Sequence, residues 1–340
     1  MKWLKHTVTR WLAALAACFV ILFLIPTPYY LYQPGTVERL SSLITVDQGN
    51  KDSGGSFNLT TVLSIRATNA ATLIYGILQQ DTEVRKASDV KGNLTDAEYV
   101  RVLNHMMSAS QRTAIASALT QSGHKVDAEV IGLFVTVIQP GSKANGVLQI
   151  GDIITSVDDE PATSVDRVSK YLSANKKAGD TVQLSVKRGG TLLTEQVQLV
   201  PLSADSRPVL GLTLEPEYAI TPERQVIFTA SEIGGPSAGL MFALEIMDQL
   251  MSEDLTHGMK IAGTGTIDLE GNVGQIGGIR DKIVAAHLAG VELFFCPKDP
   301  EGTKGNEQDA IDEAKKRGYD LRIVPVSTLA EAIEYLNQLP

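Results

Sequence analysis

No charged residue occurs between Trp11 and Val37, and this absence constrains the start of the chain more than any motif does. A helix needs roughly 20 apolar residues to cross a hydrocarbon core, and "WLAALAACFVILFLIPTPYY" offers that length. Lys2, Lys5, His6 and Arg10 precede the run and Glu38 follows it. Because basic flanks stay in the cytosol, the expectation is a cytosolic N-terminus at 1–10, a single-pass transmembrane anchor at 11–32, and the remainder on the extracellular side of the cell membrane. Tyr29, Tyr30 and Tyr32 then fall at the outer interface. A cleaved signal peptide would require a small-x-small site after the apolar core, and Ile25-Pro26-Thr27-Pro28 has none. Leu15-Ala16-Ala17-Cys18 resembles a lipoprotein box but lies too close to Arg10 for an apolar region to precede it.

Net charge of −9 argues against a general nucleic-acid binder, so no nucleic-acid partner is expected. Cys18 and Cys296 are the only cysteines and the five histidines are scattered, which excludes a disulfide framework and a clustered metal site; no metal and no cofactor are expected. Beyond the anchor, "VERLSSLITVDQGNKDSGGSFNLTTVLSI" alternates apolar and polar residues around Ser53-Gly54-Gly55-Ser56, the pattern of a β-hairpin. From Ala70 to about Lys125 the period becomes helical, with no recognisable chemistry. Residues 36–125 are therefore read as a hairpin followed by a helical region.

A second β-rich stretch follows at 126–203, with strands in "GLFVTVI", "DIITSVD", "VQLSVKR" and "LLTEQVQLV" and a helix in "SVDRVSKYLSAN". "GLFVTVIQPGSKANGVLQIGDIITSVDDEPATSVDRVSKYL" and the later "GDTVQLSVKRGG" resemble a PDZ domain of the kind found in bacterial proteases. By that resemblance Gly132, Leu133, Phe134 and Val135 lie beside the domain's helix and take up an extended peptide by strand addition. The run Gly146-Val147-Leu148 departs from the family's usual small-residue turn.

The chemistry centres on Ser237, inside Gly235-Pro236-Ser237-Ala238-Gly239. Helical spacing runs on from Pro236 to about Met251, so this serine stands where the unpaired N–H groups of a helix start favour an oxyanion. Two bases compete for its proton. A nucleophile elbow would use a downstream histidine, His257 or His287, but no oxyanion segment of the HGGG type precedes it and Pro236 restricts the sharp turn. The alternative is a lysine whose pKa of about 10.4 falls when it is desolvated. Lys282 opens "KIVAAHLAG", among apolar neighbours. Ser173-Ala174-Asn175-Lys176 also fits S-x-x-K, yet no S-D-N or K-T-G accompanies it.

"GGPSAGLMFALEIMDQL", "IAGTGTIDLEGNVGQIGGIRDKIVAAHLAG" and "LFFCP" are together similar to the proteolytic domain of Lon peptidases. The resemblance implies Ser237 as nucleophile and Lys282 as general base, Thr264 near the lysine, and Gly235, Pro236 and Ala238 as support for the serine. It covers 206–340. Gly234 and Thr264-Gly265-Thr266 depart from residues many Lon proteins carry there, and no G-x-x-x-x-G-K-[ST] occurs, so ATP dependence is not expected. In this order of parts the whole chain resembles the membrane-anchored, PDZ-containing Lon-like peptidases of Gram-positive bacteria, the SepM type. The resemblance implies an α/β (α+β) Lon-like domain completed by the early hairpin, with the helical region and PDZ domain inserted. It also implies peptide or protein substrates, among them secreted signalling peptides or surface proteins, and a homo-oligomer. A binding module on an idle protease scaffold is the competing reading.

Overall fold

In the computed structural model, residues 2–50, 54–202, 206–229 and 235–339 are described, without the side chains of 2–9, 15 and 18. The charge-free run does not stay one element. A helix, α1 (Lys2–Leu24), ends before Pro26, and Pro26–Arg39 is a strand, β1. Proline fixes φ and removes the donor a continuing helix needs, and the alternation that follows suits a sheet. The expected anchor at 11–32 is therefore corrected: its last residues belong to β1, and Tyr30 is buried there rather than at a bilayer interface. Among the described residues no helix is long and apolar enough to cross a membrane.

Next come β2 (Ile44–Val46), β3 (Ser56–Asn69), α2 (Ala70–Leu78), β4 (Glu83–Lys86), α3 (Ala87–Lys91) and α4 (Asp96–Gln121). The hairpin pairing also differs from the expectation. β3 lies antiparallel to β1, from Arg39↔Asn58 to Pro26↔Asn69, with β2 between them in sequence; Ser53 of the expected turn lies outside the described residues, as do 51 and 52. α4 begins at a capping box, in which Thr95 accepts from the Glu98 N–H and the Glu98 carboxylate accepts from the Thr95 N–H.

One body takes the strands β5 (Val126–Ile138), β6 (Ile153–Val157), β7 (Glu160–Pro161), β8 (Thr181–Arg188), β9 (Thr191–Gln198), β10 (Val200–Pro201), β11 (Pro208–Val209) and β12 (Leu212–Pro222), with one helix, α5 (Val165–Asn175). Its main sheet runs β12-β5-β6-β8-β9 over a core of Leu133, Val135, Ile154, Leu172 and Leu184. Asp152, 1% exposed, is held by a two-pronged pair with Arg188 and accepts from the Gln149 N–H, which fixes the Gly151-Asp152 turn.

The last section supplies β13 (Val226–Phe228), α6 (Gly239–Leu250), β14 (Lys260–Gly263), β15 (Thr266–Ile267), β16 (Val273–Gly274), α7 (Ile279–Leu288), β17 (Leu293–Pro297), α8 (Asn306–Arg317), β18 (Arg322–Val326) and α9 (Leu329–Asn337). Its sheet has the order β18-β17-β14-β3-β1-β4, so three of six strands come from the first part of the chain. The junction is β3 parallel to β14, Ser56↔Lys260 to Leu59↔Gly263. Asn58, the head of an Asn-Leu-Thr sequon, is 3% exposed and donates to the Ile261 carbonyl, so it serves this junction. α6 is apolar almost all round and lies buried between the sheet and α4, as such a helix must.

Candidate active site

Ser237 sits in a single turn of 3-10 helix, Pro236–Ala238, that runs directly into α6. Gly235 before it has φ 103, a conformation open to glycine, and this lets the chain enter the turn. Lys282 lies on the second turn of α7, whose N-cap Gly278 is left-handed. The two motifs, far apart in sequence, meet across the end of β14. Lys282 Nζ is 2.8 Å from Ser237 Oγ and donates to Thr264 Oγ1 at 2.7 Å, while the Thr264 hydroxyl donates to the Ser237 carbonyl at 2.8 Å. The Gly265 N–H donates to that same carbonyl at 2.8 Å. Thr264 thus ties lysine and serine turn to one point.

The lysine is 3% exposed, among Ile279, Ile283, Val284 and Ala286. Burial disfavours the ammonium and lowers its pKa to about 7, so the neutral amine is well populated near neutral pH. An amine of that basicity beside a hydroxyl can take its proton. Neither histidine competes: His287 is exposed at the end of α7, stacked on Tyr319 with ring centroids 3.7 Å apart, and His257 lies in the loop before β14. Lys176 of the S-x-x-K match pairs with Asp158 at the end of α5.

A cleft of 620 Å³ opens over the pair. Its floor includes Gly235, Ser237, Ala238 and Lys282; Tyr32 and Thr60–Ser64 form one wall and Tyr99, Leu103 and Met107 of α4 the other. Beyond Leu59 the β14-facing side of β3 carries no strand among the described residues, which leaves extended backbone along the cleft. The contribution of α4 was invisible in the sequence, where its apolar spacing has no chemical mark. Ser110 of this helix donates to the Pro236 carbonyl at 3.0 Å.

The structure brings Gly132, Leu133, Phe134 and Val135 together on β5, but not at a free edge. β12 pairs with them on one side, Glu217↔Gly132 to Leu214↔Val135, and β6 pairs with Leu133 and Phe134 on the other. Strand addition there is therefore corrected. The boundary at 203 hid this, because β12 lies beyond it and completes the sheet. The open edge beside α5 is that of β12, with a groove of 540 Å³ between Val165, Val168 and Leu172 of α5 and Leu210–Leu212 and Leu214.

Comparison with known proteins accounts for both bodies. Residues 229–338 match the Lon protease (S16) C-terminal proteolytic domain, and residues 110–199 match the PDZ domain. The chain carries a Lon-type proteolytic domain and a PDZ domain. Relatives of the former include the Lon protease of Metamycoplasma arthritidis, 36% identical over 102 residues, 30% of this chain and 11% of that one. The Lon protease of Vibrio parahaemolyticus is 25% identical over 163 residues, 48% of this chain and 18% of that one. This chain thus spans less than a fifth of the length of these relatives. Among solved structures, the PDZ domain of an SdrC-like protein from Listeria monocytogenes is 30% identical, covering 25% of this chain and 87% of that one with a TM-score of 0.24. The Lon-type domain supports a serine peptidase, and the PDZ domain suggests binding of peptides or proteins.

Proposed function

We propose that the protein is a membrane-attached, extracellular, ATP-independent serine endopeptidase acting through a Ser237–Lys282 dyad on extended peptides, secreted signalling peptides or surface proteins among them. The observation that carries this reading is the 2.8 Å approach of Ser237 Oγ to the amine of a lysine buried to 3% exposure. Neutral Lys282 takes the proton as Ser237 Oγ bonds to the scissile carbonyl carbon. The same nitrogen returns it to the leaving amine, whose C–N bond breaks, and water then cleaves the acyl-enzyme. The oxyanion falls at the turn leading into α6, where leading N–H groups and the positive end of the helix dipole stabilise negative charge. Thr264 fixes the lysine's aim.

The cleft wall of β3 suits a substrate that adds as a strand. A chain without a P-loop has no such motor to unfold folded proteins, so substrates arrive short or already extended. The groove between α5 and β12 is the place for a second peptide segment. Attachment through α1 is favoured by its apolar surface: Trp11, Leu12, Phe19 and Leu24 are all more than half exposed. Extraction of the full chain from cells only by detergent, not by carbonate, would support that attachment; release by carbonate would count against it.

The catalytic test uses a chain beginning at Pro26, because a start at residue 36 would remove most of β1. Incubation with an unstructured peptide pool and mass spectrometry should show cleavage by the parent and by His287→Ala, and none by Ser237→Ala or Lys282→Ala. Peptide binding with no cleavage by the parent would leave the idle binding module in its place.

A further inference from the structure

Helix α4 touches both bodies, with opposite faces. Tyr99, Leu103, Met107 and Ser110 lie on one side; His105 and Arg112, seven residues apart, lie on the other. Tyr99, Leu103 and Met107 line the cleft, and Ser110 holds the carbonyl of Pro236, the residue before the nucleophile. The second set meets the PDZ sheet. The His105 ring stacks on Phe134 of β5 with centroids 3.5 Å apart and planes 7° from parallel. Arg112 pairs with Glu217 of β12 at 2.8 Å, and His105 Nδ1 lies 3.3 Å from the same carboxylate.

This second contact is buried and specific. His105 and Phe134 are each less than a tenth exposed. Burial lowers the His105 pKa to about 4, so the ring is neutral, and its Nε2 makes no hydrogen bond among the described residues. Leaving such an atom unpaired costs stability, which the flat stack on Phe134 and the Arg112–Glu217 pair must offset. The seat of α4 on the PDZ sheet is thus marked by four side chains, His105 and Arg112 of the helix against Phe134 and Glu217 of the sheet. No strand links the PDZ sheet to the catalytic sheet among the described residues.

We propose that His105 and Arg112 are positioning residues for the peptidase: the PDZ sheet sets the placement of α4, and α4 sets the Ser237 turn through Ser110. The inference rests on Ser237 being the nucleophile. A sub-ångström shift of α4 would move the Pro236 carbonyl and with it Ser237 Oγ, and misplacement of a reacting group lowers turnover steeply. Phe134, expected from sequence to face a peptide, instead braces the helix that braces the active site.

The experiment measures kcat and KM on a fluorogenic tetrapeptide, which is too short to occupy cleft and PDZ groove together. Phe134→Leu and Glu217→Gln should each lower kcat about fivefold with KM unchanged, within the range found for coupled neighbouring sites. Phe134→Tyr, which keeps the stack, should restore the parent's kcat. Ser110→Ala should lower kcat about tenfold on its own, and in that background Phe134→Leu and Glu217→Gln should add nothing. Parent kcat in Phe134→Leu and Glu217→Gln, a change in KM alone, or the same fivefold loss with and without Ser110 would overturn the link. Thermal melts identify any variant unfolded at the assay temperature, and Arg112→Gln then reads the same contact from the α4 side. Cleavage retained by Ser237→Ala, or absent from the parent, would instead sink the peptidase reading; with those controls met, only the α4 link is at stake.

Discussion

At the residue scale the deciding fact is that a lysine amine is kept dry beside a serine. Its pKa of about 7 makes it a base at neutral pH, whereas an ordinary lysine near 10.4 would be protonated almost throughout. The neutral form reacts, so kcat/KM should rise with pH, reach half its maximum near pH 7 and level off above about pH 8. A profile that is flat from pH 6 to 9 would contradict the assignment. Stability follows the same group with its own sign. The folded pKa lies below the unfolded one, so the unfolded chain binds more protons between about 7 and 10.5, and stability climbs with pH through that window. The penalty for burying the ammonium is in full force below pH 7. Lys282→Met, of similar volume and uncharged, should therefore raise the melting temperature most at pH 6 and progressively less toward pH 10, while abolishing cleavage. Thr264→Val removes both hydroxyl contacts that join Lys282 to the Ser237 carbonyl. Loss of aim should cost about 10² in kcat with the fold retained, measured on the same tetrapeptide.

At the element scale, close packing around the end of β14 is what lets α6 and α7 present their side chains to each other. A methyl group on Gly263 would lie 2.6 Å from Sδ of Met241 on α6 and 2.8 Å from the Phe295 carbonyl, and that carbonyl is held in the sheet, where it accepts from the Thr264 N–H. Gly263→Ala should destabilise by roughly 1–3 kcal/mol and displace Thr264, lowering both the urea midpoint and kcat. In the PDZ sheet, Arg188→Leu would leave the Asp152 carboxylate buried without its partner, at a cost of about 3–5 kcal/mol; urea unfolding followed at that sheet reads it. Much of this was legible from residue patterns. The serine turn, the apolar helix after it and the lysine among apolar neighbours carry local signals, as do the alternating strands of the PDZ body. β12 was not legible as part of that body, because "LGLTLEPEYAI" follows a Pro- and Ser-rich connection that reads as a boundary, and only pairing over more than 70 residues assigns it. The role of α4 was hidden for a related reason: periodicity shows that a helix buries a face, not what it buries it against.

At the scale of the whole molecule, the catalytic unit is discontinuous in sequence, and this determines what can be cut away. Residues 206–340 hold Ser237, Thr264 and Lys282 but only three strands of the six-stranded sheet. Without β3, the Ser56–Leu59 pairing with β14 is lost and an inner parallel edge is opened. Phe57 and Leu59, both at most 1% exposed, leave the core with it, and Ala114 and Ala118 of α4 are stripped from α6. Opening an inner edge while uncovering buried apolar surface favours aggregation over folding. The fragment 206–340 should therefore be insoluble or molten and should not cleave the tetrapeptide, although it contains every residue of the dyad. Restoring only β1 to β4, as residues 26–91 supplied in trans, should recover the sheet but not activity, since the whole of α4, which covers α6, walls the cleft and holds the Pro236 carbonyl, is still missing. Adding 26–125 should recover the sheet and part of the turnover, with kcat still at least about fivefold below the parent because β5, with Phe134, no longer seats α4. Circular dichroism and turnover measured on the three mixtures separate these steps, and an active 206–340 fragment on its own would show that the first part of the chain is not part of the enzyme.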